Sequence, residues 1–127
     1  MTSKTQNANV KKVYDLEERT ALFGEEIIDF AKTLPHDRIS NELVKQFIRS
    51  GTSIGANYME ADGAESKKDF RHKIALCKKE AKETKHWLRM ISKANPDRKI
   101  ECKNLWQEAQ ELTSIFSTII NTSRKTK

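Results

Sequence analysis

Apolar residues recur along this chain at intervals of three and four, and the recurrence is interrupted three times. From Asp15, a residue suited to an N-cap, the positions Leu16, Phe23, Ile27, Phe30 and Leu34 keep a helical period until Pro35 forbids continuation. A second run, capped by Ser40 or Asn41, holds Leu43, Val44, Phe47, Ile48, Ile54, Tyr58 and Met59 in period to about Ala61. Asp62-Gly63-Ala64-Glu65 breaks it. Ser66 then caps a third helix, with Asp69 completing an imperfect capping box, and Phe70, Ile74, Cys77, Ala81, Thr84, Leu88 and Ile91 define its buried face as far as Ala94. Asn95-Pro96-Asp97 makes a turn, and Leu105, Ala109, Leu112, Phe116, Ile119 and Ile120 mark a fourth helix.

Four long helices with short joints predict an all-α fold, an antiparallel up-down-up-down four-helix bundle over residues 14–122. Residues 1–13 are polar and basic without hydrophobic periodicity and read as a disordered arm, and 123–127 as a disordered tail. Gly51 and Gly55 lie inside the second helix, where each costs roughly 1 kcal/mol relative to Ala. Their presence there predicts that another element approaches that face closely.

Composition removes several classes of function. The 127 residues fit one domain. No apolar run approaches the roughly 20 residues of a membrane span, and the N-terminus lacks the apolar core of a secretory signal, so the chain is expected in the cytoplasm. Cys77 and Cys102 have neither CxxC spacing nor a clustered histidine, which leaves no metal site and no cofactor motif. Cys77 falls on an apolar face and reads as a small core residue, while Cys102 has no assignable role. His36, His72 and His86 belong to no nucleophile–base pair, and Gly51-x-x-x-Gly55 lacks the strand and the Gly-Lys-Ser/Thr ending of a P-loop. The expectation is a binding protein rather than an enzyme.

Charge then gives that binding a direction. The net charge is +6, and between Ser66 and Asn95 stand ten basic residues against three acidic ones. Projected at about 100° per residue, Lys67, Arg71, Lys78, Lys82, Lys85, Arg89 and Lys93 fall in one stripe about 80° wide and about 40 Å long, with Lys68 and Lys79 at its outer margin. Asp69, Glu80, Glu83 and Trp87 gather on the far side. Like charges at this spacing repel, so local helix stability does not explain the stripe, whereas a phosphate backbone does. Helix one carries Glu17, Glu18, Glu25, Glu26 and Asp29 on its outward side, an acidic surface that could meet the basic one of a neighbouring copy. Two readings follow: a protein that binds RNA or DNA through its backbone without base specificity, and a protein-interaction scaffold whose basic face meets acidic protein surfaces.

Three segments are less generic: Gly51-Thr52-Ser53-Ile54-Gly55-Ala56-Asn57-Tyr58-Met59-Glu60, Ser66-Lys67-Lys68-Asp69-Phe70, and Lys79-Glu80-Ala81-Lys82-Glu83-Thr84-Lys85-His86-Trp87-Leu88. Together they resemble the four-helix-bundle family of the 23S rRNA intervening-sequence proteins over about residues 14–121. The resemblance implies a bacterial homopentameric ring, related to the accessory proteins of diversity-generating retroelements, with nucleic acid and a nucleic-acid-processing protein as partners. It also marks Asn57, Glu60, Glu80, Glu83 and Trp87 as motif positions, read here as structural: polar pairs that fix register between facing helices, and an indole whose ring is buried while its N–H finds a partner. Ala61, Ala64 and Glu65 depart from a family pattern in which a glycine and arginines are frequent, which shifts the weight of any nucleic-acid role onto helix three.

Overall fold

In a computed structural model of the chain, which describes residues 15–125, four helices follow one another and no strand is present among the described residues. Helix α1 (Leu16–Lys32) opens on Asp15, whose Oδ1 accepts from the Glu18 backbone N–H at 3.2 Å. It ends two residues before Leu34 and three before Pro35. Helix α2 (Arg38–Asp62) begins earlier than the hydrophobic pattern suggests. Its cap is Asp37, which accepts from the Ser40 N–H at 2.8 Å, rather than Ser40 or Asn41. Ser40 is instead buried, with its Oγ 3.4 Å from the Asn95 side-chain nitrogen. Helix α3 (Lys67–Ala94) starts where its cap predicts, with Ser66 Oγ accepting from the Asp69 N–H at 3.0 Å. A single 3₁₀ turn, Pro96–Arg98, leads into α4 (Lys99–Lys125).

Helix α4 runs beyond the expected boundary at residue 122, so residues 123–125 belong to it rather than to a tail. Arg124 and Lys125 in its last turn complement the negative end of the helix dipole, which favours the extra turn. The expected arm at 1–13 lies outside the described residues.

The core is the one the periodicity picks out. Phe23, Phe47, Phe116, Ile27, Ile54, Ile74, Leu88, Ile91 and Leu112 are fully buried, and the rings of Phe30 and Phe47 meet edge to face at 6.1 Å. Cys77 is buried, as expected, and so is Cys102, for which the spacing offered no role. Met59 departs from the pattern and is 64% exposed. Five residues after Ile54, it lies about 140° around the helix from that core position.

The pairings between helices have a consistent register. A Cβ on Gly51 would meet Ile27, one on Gly24 would meet Thr52, and one on Gly55 would meet Thr20. Between α2 and α3, Ser50 Oγ lies 3.0 Å from Thr84 Oγ1 and the Cys77 thiol donates to the Ile54 carbonyl at 3.6 Å. Between α3 and α4, Lys85 pairs with Gln110 and Arg71 approaches Ser123. In each pairing the residue number rises along one helix as it falls along the next. Gly51 explains itself here: the ideal Cβ position is 2.8 Å from Ile27 Cγ1, so α1 can seat on α2 only where that side chain is missing.

Candidate nucleic-acid interface

The basic stripe of α3 exists, but it is not a uniformly solvated face. Lys67, Lys82, Arg89 and Lys93 are exposed, whereas Arg71, Lys78 and Lys85 are half-buried on the shoulder turned toward α4. Lys85 Nζ donates to Gln110 Oε1 at 2.5 Å and sits 5.2 Å from the centroid of the Trp106 ring. Arg71 Nη1 is 3.5 Å from both the backbone oxygen and the Oγ of Ser123. A shallow open depression runs along the outer side of α3 past Lys78, Lys79, Lys82, Glu83 and His86, formed where the short side chain of Ala75 stands among long ones.

The acids nearest this shoulder are paired with cations outside it. On α3, Glu80 and Glu83 reach Arg49 of α2, with Arg49 Nη1 3.3 Å from Glu80 and Nη2 bonded to Glu83. Glu60 of α2 accepts from Lys73 at 2.8 Å, and that hydrogen bond raises the lysine pKa. On α4, Glu108 and Glu111 both take Arg19 of α1 at 2.8 Å, and Glu101 takes Arg98 at 2.8 Å. The hydrogen bond that Arg19 donates to Glu108 is the main cause of a raised pKa at Arg19, whose side chain is almost wholly enclosed. Arg98 also donates to the Thr33 carbonyl at 2.8 Å and lies against the Phe30 ring. Carboxylates are thus consumed along the α2–α3 and α1–α4 contacts. Among the described residues, Lys78, Lys82, Lys85, Arg89 and Lys93 have no carboxylate partner.

The five motif positions divide. Glu60, Glu80 and Glu83 join facing helices through Lys73 and Arg49, as a register-fixing role requires. Asn57 does not: its Nδ2 donates to the Ser53 carbonyl of its own helix at 2.9 Å. Trp87 buries its indole nitrogen, which has no acceptor among the described residues. The ring of the neighbouring His86 lies 4.9 Å from it, centroid to centroid, at an interplanar angle of 70°.

No group of three or more His, Cys, Asp or Glu residues able to hold a metal occurs among the described residues. Burial pushes the Cys77 thiol up to about 12 and the Cys102 thiol up to about 11, so neither supplies a thiolate near neutrality. His36, His72 and His86 are exposed. No helix among the described residues is long and apolar enough to cross a membrane.

Four contributors went unread in the sequence. Arg19 and Arg49 neutralise the acids from helices distant along the chain, and Trp106 and Gln110 flank Lys85 from α4. Trp106 and Gln110 stand four residues apart and so share one side of α4, a signal visible only once the α3–α4 register is known.

These features define an all-α four-helix protein in which ion pairs hold the helices together on two sides and cations collect on a third. The chain belongs to the 23S rRNA-intervening sequence protein family, whose model matches residues 12–118. It is similar in structure to a protein of unknown function from the S23 ribosomal protein family of Bacteroides thetaiotaomicron VPI-5482, with a TM-score of 0.74 and 29% identity over 82% of this chain and 96% of that one. Among curated proteins there is no match.

Proposed function

We propose that this chain is a non-enzymatic, homo-oligomeric nucleic-acid-binding protein that takes the RNA or DNA backbone along the α3–α4 shoulder, as an accessory or scaffold protein of the cytoplasm. The observation that supports this reading is the segregation of charge. Glu80, Glu83, Glu108 and Glu111 are paired with Arg49 and Arg19, while the cations of the shoulder meet only neutral partners such as Gln110. A lysine held by an amide keeps its full charge available to a phosphate, which a lysine held by a carboxylate does not. The numbering of the contacts supports an antiparallel up-down-up-down bundle, which leaves this shoulder as a straight groove between neighbouring helices.

Self-association has its own support on α1, where Leu22 and Ile28 are exposed among Glu17, Glu18, Glu25 and Asp29. Apolar side chains in an acidic surface suit a contact with the basic margin of another copy, closing into a ring such as the pentamer that the sequence resemblance implies. The second reading, a scaffold for acidic proteins, uses the same cations.

Light scattering of the protein with and without a structured RNA, at about 50 and about 200 mM salt, tests both parts. The expected result is an oligomer stable to salt that gains RNA mass at low salt. If about four cations contact a single strand, log affinity falls against log salt with a slope of about −3. Lys82→Glu with Arg89→Glu, both at exposed positions, should remove binding and leave helicity unchanged. RNA binding retained by that variant overturns the shoulder as the site, a wild type indifferent to RNA favours the protein scaffold, and a monomer overturns the ring.

A further inference from the structure

The shoulder holds an aromatic ring that a purely electrostatic groove does not require. Trp106 is 38% exposed on α4, although the core positions Ala109, Leu112 and Phe116 of the same helix are buried. The Lys85 ammonium is 5.2 Å from its centroid and is itself fixed by Gln110. Since Lys85 stands beside Gln110 and Arg71 beside Ser123, the same register brings Arg89 level with Trp106. Lys103 lies three residues earlier on α4, and both Arg89 and Lys103 are exposed. A flat indole is therefore set among three cations and one side-chain amide, with no carboxylate bonded to any of them among the described residues.

A duplex presents phosphates at its surface but keeps the faces of its bases stacked inside, so it would engage the cations and leave the indole unused. An unpaired nucleotide offers both a phosphate and a free aromatic face, and stacking on a tryptophan is tolerant of sequence because every base has such a face. The Gln110 amide can donate or accept at a base edge without selecting one base strongly. We propose that Trp106 is a stacking platform for an unpaired base of single-stranded RNA, with Lys85, Arg89 and Lys103 on the adjoining phosphates. This inference rests on the nucleic-acid reading above and narrows it to single strands.

The test uses the full chain with Trp87→Phe, which leaves Trp106 as the sole tryptophan of the two in the sequence. A short oligouridine should quench the remaining emission, and an RNA duplex of equal length should not. In the wild-type background, Trp106→Ala should weaken oligouridine binding about 5- to 100-fold with the salt slope unchanged, Trp106→Phe should restore most of it, and duplex affinity should not move. Emission unaffected by oligouridine, an equal loss for duplex and single strand, or equal quenching by polyglutamate overturns the platform. Binding that disappears in Lys82→Glu with Arg89→Glu while Trp106 stays unquenched overturns this inference alone. A wild type that binds no RNA at low salt overturns the proposed function and the platform together.

Discussion

Gly51 shows how much a single missing side chain can decide. Adding a methyl group there places it 2.8 Å and 2.9 Å from the two γ-carbons of Ile27, a β-branched residue that is fully buried and has little rotamer freedom to yield. At Gly55 the nearest atom is 3.4 Å away, at the Thr20 hydroxyl, which is ordinary contact. The two glycines should therefore respond in opposite senses. Gly51→Ala should destabilise by about 1–3 kcal/mol through overpacking, and Gly55→Ala should be neutral or stabilise by up to about 1 kcal/mol through helix propensity; urea unfolding of the two variants checks both. That something approaches this face was legible from two glycines in a helix. Which of them is indispensable was not, because the answer depends on where Ile27 of another helix falls. The surroundings of the Trp87 N–H were illegible for a related reason: sequence shows the donor, but an acceptor has to be supplied by packing.

At the scale of elements, caps and periodicity located the helices well where a single capping residue was on offer. Asp15 stands directly before Leu16 and Ser66 four residues before Phe70, and each caps. Between Pro35 and Leu43 the chain offers Asp37, Ser40 and Asn41, and hydrophobic spacing cannot choose among them. The choice is made at the other end of the bundle's connectivity, where Asn95 after α3 occupies Ser40 and leaves Asp37 to cap. Asp37→Ala should cost about 1 kcal/mol, with Asp37→Asn largely retaining stability, as measured by thermal unfolding. The ion pairs were illegible as pairs, since Arg19 meets acids 89 and 92 residues away and Arg49 meets acids 31 and 34 away. The stripe itself was legible, because seven charges on one helix need only the helical repeat to be placed.

Taken as a whole molecule, the protein buries two thiols that ionise freely only when it unfolds. The ordinary thiol value of 9.0 is pushed up to about 12 at Cys77 and about 11 at Cys102, in both cases chiefly by burial. Below about pH 9 the thiols are protonated in both states and add no pH dependence; above it the unfolded chain releases protons that the folded chain retains. Stability should therefore fall as pH rises from about 9 toward 12. Tyr58, raised mainly by burial, and Lys73, raised by Glu60, act with the same sign. Urea midpoints at about pH 8 and about pH 10.5 measure the decline, and Cys77→Ala with Cys102→Ala should flatten it. Cys102 could not be given a place from spacing alone, since the turn of Pro96–Arg98 sets which side of α4 faces inward.

The division of charge also has a consequence at a distance. Helix α1 packs on α2 and is tied to α4, while α3 packs on both α2 and α4, so α1 and α3 occupy opposite corners of the bundle. With acids outward on the first and cations outward on the third, the chain is a dipole as well as a net cation. In the field of a polyanion such a body experiences a torque before it makes contact and turns its α3 side forward once within about a Debye length. Such encounters then begin with the α3 side leading, and low salt should lengthen the range over which that turning occurs.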